Sequence, residues 1–221
     1  MSLTVALILG TPRLSTVLKD AIPLPARDAG RRLVRRMTWG PRGFDTPAPQ
    51  AVKVEVLQRY GIPGSAWIET GTFLGTTTKV LARWGGPVYT IEPSADLAAL
   101  ARRRLARHPN VTVLEGLSED LLPGLLESLE GAVSFWLDGH ASGGPTFTGP
   151  LVTPIRQELA TIEVHLPRFD RVAVLVDDFR GFGAVTTEDG AYPSRSSLVA
   201  WADRNGLAWT VEHDIFAAWR S

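Results

Sequence analysis

Three aspartates stand where two apolar runs end: Asp138 in Phe135-Trp-Leu-Asp-Gly-His140, and Asp177 with Asp178 in Val174-Leu-Val-Asp-Asp-Phe179. Carboxylates crowded at one place repel each other and raise each other's pKa unless a cation lies among them. Neither motif carries a lysine. The sequence therefore predicts a divalent cation held by Asp138, Asp177 and Asp178. All-oxygen ligation favours Mg2+, with Mn2+ or Ca2+ as alternatives. Such a cation would bind an acceptor hydroxyl, lower its pKa and orient it. A histidine of ordinary pKa can accept a proton near neutrality, which makes His140 a candidate proton acceptor, with Asp138 as the competing base. His108, His165 and His213 lie in a turn, at a helix end and between two strands, and carry less weight.

A second group surrounds the run Trp67-Ile-Glu-Thr-Gly-Thr-Phe-Leu-Gly-Thr-Thr-Thr78. A strand ends at Glu69, a turn carries Gly71, and a helix opens near Gly75. Glycine permits positive φ and close approach of a ligand to the backbone. The free amides of a helix start suit an anionic ligand group. The spacing is G-x-x-x-G, not the G-x-G-x-x-G of nicotinamide and flavin sites. Glu69, at the mouth of the turn, is placed to hold a cationic amine. Glu92 closes the next strand in Tyr89-Thr-Ile-Glu-Pro93, at a distance along the chain that suits a carboxylate accepting ribose hydroxyls. S-adenosylmethionine has an amine, a carboxylate and a ribose but no phosphate, and so fits this set.

The elements that must position these residues follow from hydrophobic pattern. Short apolar runs at Ala66–Glu69, Val88–Glu92, Val111–Glu115, Val133–Asp138 and Val172–Asp177 alternate with helical stretches near 75–84, 94–107, 119–129 and 151–165. Strands apolar on both faces and separated by helices imply a parallel sheet covered on both sides. A helix near 195–205 then leads to Leu207–Glu212 and Ile215–Trp219, separated only by His213-Asp214. So short a link cannot cross over, so this pair is antiparallel. The expected fold is α/β, a doubly wound, mostly parallel seven-stranded sheet with a C-terminal antiparallel hairpin.

Ahead of it, Thr46-Pro47 reads as the N-cap and first turn of a helix that Gly61 and Pro63 stop. Residues 1–45, rich in proline and glycine and holding the basic run Gly30–Met37, read as an arm or cap on a domain spanning 46–221. Gly139–Gly149 holds four glycines and Pro145 and reads as either a substrate lid or an exposed connector.

Composition narrows the class. The 221 residues carry 23 Lys+Arg against 23 Asp+Glu, which argues against nucleic acid as the main partner. The absence of cysteine excludes disulfides, thiolate nucleophiles and Cys-ligated zinc. No apolar run reaches membrane-spanning length, and Leu3–Leu9 lacks the flanks of a signal peptide. The expectation is a cytoplasmic protein with no membrane partner, whose N-terminal arm could pack on a second copy.

The pattern of five parallel strands and a hairpin resembles that of class I S-adenosylmethionine-dependent methyltransferases. Glu69-Thr-Gly-Thr-Phe-Leu-Gly75 is similar to their first motif, especially in the catechol O-methyltransferase type. Leu114-Glu-Gly-Leu-Ser-Glu-Asp-Leu-Leu-Pro123 is similar to their third-strand motif. The resemblance spans about 66–180. It implies that Glu69 and the turn residues Gly71, Thr72, Phe73 and Gly75 contact the methionine part of the cofactor, that Thr77 holds its carboxylate, and that Ser118 lies against adenine. It also implies that Asp138 serves cofactor and metal alike. Asp138, Asp177 and Asp178 match the acidic metal ligands of catechol- and macrocin-type enzymes.

One departure stands out. Where catechol-type enzymes often carry a lysine three residues after the first aspartate, this chain has Ala141, and His140 is the nearest substitute. The implied activity is Mg-dependent methylation of a hydroxyl on a small molecule, of sugar or natural-product type. A nicotinamide-dependent oxidoreductase, an antibiotic-pathway hydroxylase-like protein and a non-catalytic S-adenosylmethionine-binding protein are the alternatives.

Overall fold

Seven strands form one sheet in the order β3-β2-β1-β4-β5-β7-β6. They are β1 (Ala66–Thr70), β2 (Val88–Glu92), β3 (Val111–Glu115), β4 (Gly131–Leu137), β5 (Phe169–Val176), β6 (Ala208–Glu212) and β7 (Ile215–Arg220). The computed structural model describes residues 23–139, 153–183 and 192–221. His140 and most of the Gly139–Gly149 loop lie outside the described residues.

β1 to β5 pair in parallel, and β7 runs antiparallel to both β5 and β6. The order reverses between β1 and β4. In open α/β sheets, ligands bind beyond the carboxyl ends of the strands at such a switch.

Side chains alternate across the sheet and build two cores. Ile68, Phe135, Leu137, Val172, Val174 and Val176 face one side. There they pack on α5 (Ser118–Glu127), α6 (Ile155–His165) and α7 (Arg195–Arg204), through residues such as Leu122, Leu159 and Trp201. Trp67, Trp136, Ala173 and Leu175 face the other side, against Val56 and Leu57 of α2 (Gln50–Tyr60) and Leu81 of α3 (Thr76–Ala82). Helix α4 (Ala95–Leu105) opens on Ser94, whose hydroxyl accepts from the Leu97 amide.

Several boundaries differ from the sequence reading, three of them near the site or the first helix of the domain. Helix α2 begins at Gln50, not at Thr46-Pro47. Pro49 disfavours helical backbone at Ala48, and its carbonyl accepts from the Val52 and Lys53 amides. The aspartates also fall just past their strands: β4 ends at Leu137 and β5 at Val176.

The chain divides into two compact units between Lys53 and Val54. In the first, α1 (Leu24–Thr38) leads into a turn where Arg42 pairs with Asp45 at 2.8 Å and Trp39 meets Phe44 edge to face. Among the described residues, no helix is long and apolar enough to cross a membrane.

Candidate functional site

The turn after β1 is tied down on both sides. The amides of Gly71 and Thr72 donate to the Ile91 carbonyl at 3.0 and 3.2 Å. The Phe73 amide donates to Glu92 Oε2 at 2.7 Å, and Glu92 Oε1 accepts from the Ser94 amide at 3.1 Å. Glu92 thus braces the turn from the end of β2. Burial pushes its carboxyl above the ordinary value.

Gly71 has φ +88°, and a Cβ on it would stand 2.5 Å from the Asp138 carbonyl oxygen. No side chain fits there. Gly75, in the left-handed region at φ +66°, opens α3. Thr77 is half-buried in the first turn of that helix. The Thr72 hydroxyl lies 2.6 Å from that of Thr90.

Glu69 sits deeper than the sequence reading placed it. It is 1% exposed, and its Oε2 accepts from Thr78 and Thr90 at 2.5 and 2.6 Å. A carboxylate so enclosed steadies the turn from beneath and does not present itself at the mouth. Across the sheet, Glu158 of α6 is equally buried and accepts from Ser118 Oγ at 2.6 Å. Gly139 lies against it and Thr70: a Cβ there would be 3.3 Å from the Thr70 hydroxyl and 3.6 Å from Glu158 Oε1. Sequence reasoning missed Glu158. The available signal was a carboxylate at i+3 from Ile155 and four residues before Ile162, inside the apolar stripe of its helix.

Burial pushes both Glu69 and Glu158 up to about 7 from 4.5. Hydroxyl donors offset part of this rise. Between these values the folded chain holds protons that the unfolded chain has released. Stability from these groups is therefore full below about pH 4.5 and falls as pH rises through about 7. A rise of this size is worth up to about 3 kcal/mol for each group. The thermal midpoint is expected to fall from pH 5 to 7.5, and Glu158→Gln should flatten that descent. An equal descent in the variant would exclude Glu158 as a source.

The aspartates converge by register. The Asp138 amide donates to the Thr70 carbonyl at 3.0 Å, and the Asp177 amide donates to the Leu137 carbonyl at 3.1 Å. β1, β4 and β5 therefore end side by side. Ligand oxygens of Asp138, Asp177 and Asp178 all lie within 4.8 Å of one another. Asp177 is fully buried, and Asp178 adopts left-handed backbone at φ +54°.

The cluster is not without a cation, contrary to the sequence argument. Arg180 Nη1 meets Asp178 Oδ1 at 2.8 Å and also pairs with Asp214 Oδ2. Asp214 comes from the two-residue turn between β6 and β7, where His213 and Asp214 both have positive φ, as hairpin turns of this length favour. Its carbonyl accepts from the Phe179 amide at 2.9 Å, and its Oδ1 accepts from the Arg180 amide at 2.7 Å. Tyr192 lies edge to face with Phe182 at 5.2 Å. Burial, then the charges of Asp178 and Asp138, push its phenol up to about 12. Arg180 was visible two residues past Asp178; neither Asp214 nor Tyr192 carried a local signal.

The structure therefore brings Gly71, Thr72, Phe73, Gly75, Thr77, Glu92, Ser118, Asp138, Asp177 and Asp178 to one edge of the sheet, with Glu69 behind the turn. His140 lies outside the described residues.

No family model matches this chain, and no curated protein matches it in sequence. Its fold is shared with solved structures of low identity. DesVI of Streptomyces venezuelae is 13% identical, with 76% of this chain covering 89% of that one at a TM-score of 0.52. Precorrin-6y C5,15-methyltransferase of Geobacter metallireducens is 15% identical, with 78% of this chain covering 88% of that one at 0.51. Geranyl diphosphate C-methyltransferase of Streptomyces coelicolor, solved with Mg2+, geranyl diphosphate and S-adenosyl-L-homocysteine, is 13% identical, with 78% covering 80% at 0.51. The seven-stranded order and the closing hairpin make this the Rossmann-like methyltransferase fold.

Proposed function

We propose that this chain is an S-adenosylmethionine-dependent O-methyltransferase, Mg-dependent, acting on a hydroxyl of a small molecule of sugar or natural-product type. One observation carries the reading. The glycine turn packs its backbone against Asp138, and Asp138 shares a cluster with Asp177 and Asp178. A cofactor held by the turn and an acceptor held at the cluster would therefore be neighbours. The fold and the G-x-x-x-G spacing support this cofactor over a dinucleotide, and the carboxylate ending β2 suits the ribose that either would bring.

Bound S-adenosylmethionine supplies an electrophilic methyl group on a sulfonium. The chain's own part is to bind, orient and take a proton. The amides and backbone of the Gly71–Gly75 turn would hold the methionine end, with Thr77 at its carboxylate. Glu92, whose oxygens each accept one backbone amide, retains lone pairs for ribose hydroxyls. Ser118, oriented by Glu158, would lie at the adenine. Asp138, Asp177 and Asp178 would hold a divalent cation, whose charge favours the ionised form of an acceptor hydroxyl. Asp138 or His140 would receive the hydroxyl proton. Holding the two reactants in line can contribute on the order of 7–11 kcal/mol.

Calorimetry tests the cofactor directly. S-adenosylhomocysteine is expected to bind and NADH is not. Glu92→Ala should weaken the former by about ten- to a hundredfold, since one charge-assisted hydrogen bond is worth roughly 1.5–3 kcal/mol. Binding of NADH with no uptake of S-adenosylhomocysteine would sink the reading.

A further inference from the structure

We infer that Arg180 is the resident cation of the aspartate cluster, that it competes with a divalent metal for Asp178, and that Asp214 is the carboxylate to which it withdraws. The inference rests on the metal reading of the cluster proposed above.

Arg180 has two carboxylates within reach of one nitrogen. Its Nη1 contacts Asp178 Oδ1 at 2.8 Å and also pairs with Asp214 Oδ2. Its backbone cannot follow its side chain. The Arg180 amide is held by Asp214 Oδ1 at 2.7 Å, and its carbonyl accepts from Arg195 Nη2 at 2.9 Å. Arg195 is fixed in turn by the Phe179 carbonyl at 3.3 Å and by the Phe179 ring beneath it. What remains able to move is the guanidinium, whose side chain is 40% exposed.

The two partners are unequal. Asp214, at 5% side-chain exposure, keeps a backbone amide on its Oδ1 whatever the guanidinium does. Asp178 belongs to the group of three whose ligand oxygens lie within 4.8 Å. Removing the guanidinium from Asp178 with nothing in its place would leave Asp178 without this counter-charge beside two further carboxylates, which is costly. A divalent ion supplies that charge and more. It also repels a guanidinium a few ångströms away. Metal on Asp178 and Arg180 on Asp178 therefore exclude each other, while Arg180 on Asp214 is compatible with metal. The arginine would keep the cluster folded without metal, at a cost in metal affinity.

The test uses Mn2+ alone as the probe, on the full chain, by calorimetry and by the electron-paramagnetic signal of free Mn2+. Arg180→Gln removes the competitor and is expected to tighten Mn2+ by at least about tenfold, about 1.4 kcal/mol. Asp214→Asn acts from the opposite side. It leaves Asp178 as the main carboxylate for Arg180 and is expected to weaken Mn2+ several-fold. Asparagine tolerates the left-handed backbone at this position. A purely structural role would lower the thermal midpoint of both variants without moving their Mn2+ affinities in opposite directions.

Mn2+ binding to the wild type with equal or weaker binding to Arg180→Gln overturns the competition and leaves the metal site standing. Tighter binding to Arg180→Gln with unchanged binding to Asp214→Asn overturns Asp214 as the place of withdrawal. Failure of both the wild type and Arg180→Gln to take up Mn2+ at millimolar concentration overturns the inference together with the metal reading.

Discussion

Asp177→Asn is expected to lower methyl transfer by at least about a hundredfold, and EDTA to abolish it in the unaltered chain until Mg2+ is returned. The magnitude follows from the several kcal/mol that a bound cation contributes to a developing negative charge, at about 1.4 kcal/mol per factor of ten. Asp177 is the sharpest of the three positions for this test. It is fully buried, and its backbone sits in the β4–β5 ladder through the Leu137 carbonyl. Asparagine keeps the shape and removes the charge. Asp178→Ala is expected to act less cleanly, because it also releases Arg180 from one of its two carboxylates. The measurement is transfer of labelled methyl from S-adenosylmethionine to a panel of hydroxylated small molecules. Full activity in EDTA, with Asp177→Asn unaffected, would leave the aspartates a structural role and make the reaction metal-independent.

Gly71→Ala should abolish cofactor binding outright, with a loss of at least about a hundredfold in S-adenosylhomocysteine affinity. Two costs combine at this position. The backbone is at φ +88°, where a Cβ costs of order 1–3 kcal/mol. That Cβ would also stand 2.5 Å from the Asp138 carbonyl oxygen and 2.9 Å from its carbon. Backbone on backbone cannot yield by a side-chain rotation, so the turn must lift away from β4. Lifting it pulls the Gly71 and Thr72 amides off the Ile91 carbonyl and the Phe73 amide off Glu92. The cofactor turn and the position of Asp138 are then lost together. The thermal midpoint should fall by several degrees.

Gly64→Ala separates the two costs. Gly64 also has positive φ, +74°, but a Cβ there meets nothing within 4 Å. It is expected to lose some stability and to keep its S-adenosylhomocysteine affinity. Affinity within about threefold of the wild type in Gly71→Ala would mean that the turn does not cradle the cofactor.

Much of this was legible in the residues because it depends on short-range periodicity. Continuous apolar runs separated by helical patterns are enough to require a covered parallel sheet. The two residues between β6 and β7 are enough to require an antiparallel hairpin. Once the strands are parallel, their carboxyl ends share one edge, so Glu69, Glu92, Asp138 and Asp177 had to gather there wherever the exact ends fell. The start of α2 was misread because Pro49, not Pro47, sets the last non-helical carbonyl.

The tertiary structure alone decided which charges meet. Arg180 and Asp214 are brought together by the β5–β7 register, in which Val176 faces Phe216 and the hairpin turn therefore falls beside residues 178–180. Ser118 and Glu158 meet because α5 and α6 cover the same face of the sheet. Glu69 is withdrawn beneath its own turn because its β2 partner is Thr90 and α3 closes over both. Alternation along a strand says which face a carboxylate is on. Whether that carboxylate ends at a ligand, at a guanidinium or under two hydroxyls depends on partners tens of residues away, and only packing brings those partners into reach.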